Sequence, residues 1–226
     1  MYSFYKQTHF GTSIENSERG HFFDSKSEVV AVSKGNVLEV YTVRKNSRND
    51  YKLHLTGSYS FFALIKCFCF AKFAGHSRDS ILLGFENSMM SIIKFNKATN
   101  DIRTISMHTF DRHYRNEGYR SQHFRYLAVT DPLNRCTVMS VSESKVLVMP
   151  LTNNNLTFLK NQRRLVEHRD LEPDEIKTSS IIKEKSMFLI DLIGLNIKEI
   201  KDIKFLHGYD QPSIIVLHSA KRAWMG

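Results

Sequence analysis

One shape recurs four times along this chain: an apolar strand, a short polar turn, and a second apolar strand. The instances are EVVAVS-KGN-VLEVYTV at 28–43, SILLGF-ENS-MMSIIKF at 80–95, CTVMSV-SES-KVLVMPL at 136–151 and SIIVLHS-AKR-AWMG at 213–226. The turns are small and polar, as tight hairpins require. The hairpins begin near Val29, Ile81, Thr137 and Ile214, which lie 52, 56 and 77 residues apart. A sheet unit repeated at this period restricts the fold more than any other feature of the sequence.

Further strands flank the hairpins. IKCFCFAKFA at 65–74, FRYLAVTDP at 124–132 and IKDIKFLHG at 201–208 precede the last three, and YKLHLTGSY at 51–59, DIRTISMHTF at 101–110 and NLTFLKNQ at 155–162 follow the first three. Four strands per unit is the pattern of β-propeller blades. Such a blade packs both faces against neighbours, so its inner strands should be apolar throughout instead of alternating. SILLGF and KVLVMPL read that way. A β-sandwich is the competing arrangement, but its strands recur every 8–12 residues without a larger unit. The expected fold is all-β, a partial β-propeller of WD-repeat-like four-stranded blades. About three and a half to four blades span 1–226, the last reaching its third strand, so the chain reads as the truncated first portion of a propeller. Two polar insertions interrupt it, at about 111–123 (DRHYRNEGYRSQH) and about 160–179 (KNQRRLVEHRDLEPDEIKTS).

Composition narrows the setting. With 42% hydrophobic and 24% charged residues, the chain carries enough apolar surface for a core without staples. Cys67, Cys69 and Cys136 are an odd, sparse set, which suits a reducing compartment. The start, MYSFYKQTHF, lacks a signal-peptide core, and the apolar run at 61–71 is half a membrane span broken by Lys66. A soluble intracellular protein is expected, with no membrane partner. The net charge of +9 suits acidic partners, nucleic acid or protein.

Reaction chemistry finds little support. The chain contains no Gly-rich phosphate loop, nucleophile elbow or HExxH, and the scattered carboxylates read as solvated surface. Cys67 and Cys69 share one face of a strand, and no second ligand pair completes a zinc site, so both read as small core hydrophobes. No enzyme, cofactor or small-molecule substrate is expected. The informative polar residues are basic. Arg112, Arg115, Arg120 and Arg125 interleave with Tyr114, Tyr119 and Phe124, a mixture that serves either single-stranded RNA or a protein interface. Lys160, Arg163 and Arg164 form a weaker second cluster.

Several stretches carry a family likeness: Met1 to His9, SYSFF at 58–62, DSILLGFENSMMSIIKF at 79–95, DPLNRC at 131–136, KVLVMPL at 145–151 and above all FLHGYDQPSIIVL at 205–217. Together they resemble the N-terminal region of the largest subunit of cleavage and polyadenylation specificity factor. Trp224-Met225-Gly226 departs from that family, which has Pro between Trp and Gly. The resemblance implies the start of the first of three propellers, in a nuclear scaffold for pre-mRNA 3′-end formation. It also implies WD-repeat and zinc-finger partners that together read the polyadenylation signal, with RNA contact secondary. Two other three-propeller proteins keep alternatives open: the large subunit of damaged-DNA-binding protein, a ubiquitin-ligase adaptor, and a spliceosomal subunit. From outside that group, a sequence-tolerant RNA-binding module built on 111–125 is the alternative.

Overall fold

The computed structural model describes residues 12–45, 50–74, 76–86, 89–110, 124–151, 187–197, 199–219 and 222–225, and these contain fifteen strands and no α-helix. The first sheet is β1 (Asn16–Gly20), β2 (Val29–Lys34), β3 (Val37–Lys45) and β4 (Tyr51–Ser60). The second is β5 (Ile65–Ala71), β6 (Ser80–Phe85), β7 (Met89–Asn96) and β8 (Asp101–Thr109). In the third, β9 (Ala128–Thr130), β10 (Cys136–Ser140), β11 (Lys145–Pro150) and β12 (Phe188–Asp191) follow the same order. The fourth has β13 (Asp202–Phe205), β14 (Ile214–His218) and β15 (Arg222–Met225). Every neighbouring pair is antiparallel.

The first strands of the sheets lie beside one another in the order β1, β5, β9, β13. Each sheet therefore runs outward from a common axis, and its faces meet the neighbouring sheets. The side chains of β6 show why its sequence does not alternate. Ile81, Leu83 and Phe85 pack with Val29, Ala31, Leu38 and Val40 of the first sheet. Leu82, between them, packs with Met139, Leu147 and Met149 of the third. The third sheet divides in the same way, since Val138 and Val146 meet Ile203, Ile214 and Val216 of the fourth. Period 2 still governs which way a side chain points, but both directions are apolar. These are blades of a β-propeller, as the repeat predicts.

Two strands differ from expectation. The segment 155–162, expected as the outer strand of the third blade, lies outside the described residues. The place beside β11 is held by β12, with Val146 opposite Ile190 and Leu147 opposite Leu189. β12 is short and starts well beyond the charged insertion, so a search for the next strand after the hairpin stops too early. β1 was not expected at all. Its sequence, NSERG, has no apolar run, and it is held by its ladder with β2, from Asn16–Ser33 to Gly20–Val29. The expected insertions at 111–123 and 160–179 lie outside the described residues.

Candidate functional site

The inner strands line an open cavity of about 680 Å³ at one end of the axis. Its wall draws on all four blades, including Glu18, His21, Lys72, Asp79, Asp131 and Lys204. The strand ends around it are tied across each blade boundary. Between blades one and two, the His21 N–H donates to the Asp79 carboxylate at 2.7 Å and the Asp79 N–H donates to the His21 carbonyl at 2.9 Å. Between blades two and three, the Thr130 hydroxyl donates to the Phe70 carbonyl at 2.7 Å and the Lys72 N–H donates to Asn134 Oδ1 at 3.2 Å.

The third boundary is the most elaborate, and it lies in DPLNRC. Asp131 is fully buried and accepts the Arg135 Nε and Nη2 donors at 2.7 and 2.8 Å. It also accepts the Leu133 and Arg135 backbone N–H groups at 3.1 and 3.2 Å. Burial works to raise the Asp131 carboxyl, but the Arg135 bonds and charge outweigh it and hold the group below the usual carboxylate range. The bidentate pair fixes the guanidinium plane. Its remaining edge, through Nη1, donates to the carbonyls of Tyr209 and Asp210 at 3.0 and 2.7 Å. Those carbonyls belong to the turn in FLHGYDQPSIIVL, where Gly208 sits at φ +81°, a conformation side chains disfavour. Two of the segments that carry the family likeness are thus joined by one side chain.

The cavity wall is polar and balanced rather than reactive. Glu18 stays exposed, but the cavity wall partly desolvates its carboxyl and raises it, opposed by the charge of Lys204 from blade four. Cys69 lines the wall, yet its thiol is 3% exposed and burial pushes it up to about 12, so it is not a thiolate nucleophile at neutral pH. Cys67 is likewise raised by burial, and both pack in the core between blades two and three. That is the small-hydrophobe role expected of them. Among the described residues, no cluster of His, Cys, Asp and Glu has the arrangement of a metal site.

Of the residues expected to contact RNA or a partner, Arg125 is described. It is exposed at the approach to β9, between Phe124 and Tyr126, whose rings meet edge-on at 4.6 Å. Its carbonyl accepts the Ser140 hydroxyl at 2.9 Å, which fixes the backbone there. Arg112, Arg115, Tyr119, Arg120, Lys160, Arg163 and Arg164 lie outside the described residues. The axial cavity and the Asp131–Arg135 tie were not among the expected sites. An Asp-Pro turn with Arg four residues on was their available signal.

Stacked antiparallel blades tied around an axial cavity define a β-propeller. Residues 13–223 match the family described as RSE1/DDB1/CPSF1 first beta-propeller, and the chain belongs to that family. It is similar over its whole length to cleavage and polyadenylation specificity factor subunit 1 of Drosophila melanogaster, at 26% identity over 246 residues and 16% of that protein. The subunit 1 of Arabidopsis thaliana is 22% identical over 98% of the chain and 19% of the relative, and Protein CFT1 of Debaryomyces hansenii is 26% identical over 91% and 16%. The chain therefore spans less than a fifth of the length of each of these relatives.

Proposed function

We propose that this chain acts as a non-enzymatic scaffold in the nuclear machinery that cleaves and polyadenylates pre-mRNA. In this reading the blades help hold the WD-repeat and zinc-finger subunits that recognise the polyadenylation signal. Arg112, Arg115, Tyr119, Arg120 and Arg125, with Lys160, Arg163 and Arg164, face a protein partner first and RNA second. One observation carries the reading: the similarity to cleavage and polyadenylation specificity factor subunit 1 runs along the entire chain. The chemistry of the described residues agrees with it. The buried thiols are held protonated, and Asp131, the most deeply buried carboxylate described, is committed to joining blades.

Affinity purification of the tagged chain from nuclear extract tests this. Recovery of the polyadenylation-signal-binding subunits is the expected result. Recovery of a cullin ubiquitin ligase without them would overturn it in favour of the adaptor reading. RNA contact is tested separately, by single-strand binding across a salt series. A triple alanine variant of Arg112, Arg115 and Arg120 with unchanged affinity and salt slope removes RNA from that segment.

A further inference from the structure

A second cavity, of about 390 Å³, opens on blade two, away from the axial one, and three cationic side chains converge on it. Lys94 of β7 and Arg103 of β8 are direct cross-strand partners. Like charges placed opposite each other in an antiparallel pair destabilise the sheet unless something compensates them. Arg78, from the segment leading into β6, supplies the third charge. It is half-buried and aimed by hydrogen bonds from Nη1 to the carbonyls of Phe23 and Phe95, at 3.2 and 3.3 Å.

The described cavity lining holds no carboxylate, and acids of the neighbouring segments bond backbone groups. Asp79 accepts from His21, Asp24 from the N–H groups of Lys26 and Ser27, and Asp101 from the N–H of Ile102. Among the described residues, no carboxylate forms an ion pair with Arg78, Lys94 or Arg103. Lys94 instead places its ammonium 2.6 Å from His76 Nδ1. Burial and the Arg78 charge pull the Lys94 ammonium below the ordinary lysine range, and burial, Lys94 and Arg78 lower His76. Arg78, Lys94 and His76 are thus crowded together, with Arg103 opposite Lys94 in the ladder and no ion-paired carboxylate among the described residues.

We propose that this cavity binds a phosphomonoester, the phosphoserine or phosphothreonine of a protein partner. Such a group brings a charge of about −1.5 to −2 and three acceptor oxygens, which suits three converging cations. A polynucleotide fits less well. Single strands need a basic track with exposed aromatic platforms. Here the charge is confined to one cavity, and Phe95 in its wall is 8% exposed and packed edge-on to Phe23 at 4.8 Å.

The test uses the full chain and three fluorescent probes: a degenerate peptide library centred on phosphoserine or phosphothreonine, its unphosphorylated counterpart, and a uridine dodecamer. The phosphorylated library should bind about ten-fold or more tightly than its counterpart, the scale of one charge-assisted hydrogen bond. Inorganic phosphate should compete with it. Arg103 is exposed, so Arg103→Ala leaves the fold intact; it should lower phosphopeptide affinity about ten-fold. Melting without ligand should be unchanged or slightly raised, because a like-charge pair is relieved. Equal binding of the two libraries, or phosphopeptide binding indifferent to Arg103→Ala and Lys94→Met, overturns the proposal. Arg103-dependent binding of the dodecamer with no preference for phosphorylated peptide overturns it in favour of a polynucleotide.

Discussion

Asp131 and Arg135 show how much one pair can carry when both ends of each partner are used. The buried carboxylate accepts four donors, and the guanidinium spends its remaining edge on blade four. Arg135→Ala would leave that carboxylate without its cation and free the 209–210 turn. A loss of about 3 kcal/mol is expected in chemical denaturation, the scale for breaking a buried pair. Lysine should rescue poorly, since it cannot form the fork. The lowered Asp131 carboxyl stabilises the fold above the ordinary carboxylate value of about 4, and that contribution fades as pH falls through its lower folded value. His108 acts in a higher range. Burial lowers its pKa, and its ring stacks on Phe110. The unfolded chain therefore takes up a proton below about pH 6.5 before the folded one does, and stability falls as pH drops from there towards the folded value. His108→Phe should flatten the melting profile below about pH 6.5, the ordinary histidine value. A profile as steep as the parent's would count against this account. DPLNRC and the 205–217 segment both stand out in the sequence, but their contact does not, because Arg135 and Tyr209 are 74 residues apart.

At the scale of elements, one tight point is where β5 and β6 meet the third blade. A Cβ on Gly84 would lie 2.5 Å from Cys67 Sγ and 3.2 Å from Met139 Sδ. Gly84→Ala should cost about 1–3 kcal/mol by overpacking, and Cys67→Ala in the same chain should recover part of that. Additive losses in a double-mutant cycle would show that the two positions do not share the space. The hairpins were legible in the sequence because Ile, Val, Leu and Met stand in runs bounded by small polar turns, as in β6 and β7. β1 was not, since Asn16–Gly20 is held by backbone pairing and its one buried residue is a glycine against the Phe70 ring. The third blade's outer strand was misplaced for a related reason. Strand propensity marks segments able to pair, and the choice between 155–162 and 188–191 is made by β11.

At the scale of the molecule, the described residues form three cores, each shared by two adjacent blades. Such an arrangement behaves as a one-dimensional chain of neighbour contacts. Ile203→Ala, in the core between blades three and four, should cost about 2–5 kcal/mol. By hydrogen exchange, amides of β13 and β14 should open faster while those of β2 and β3 keep their protection. Uniform loss of protection would instead mark a single cooperative unit. The sequence alone was sufficient for the all-β class, the blade repeat and the inert thiols, because local periodicity and turn chemistry are written in consecutive residues, and for the family through the resemblance carried by segments such as 205–217. The axial cavity, the Asp131–Arg135 tie and the basic cavity on blade two were decided by tertiary structure. Each joins residues from separate strands or blades, and no spacing along the chain records which blade faces will meet or which charges that meeting leaves without an opposite.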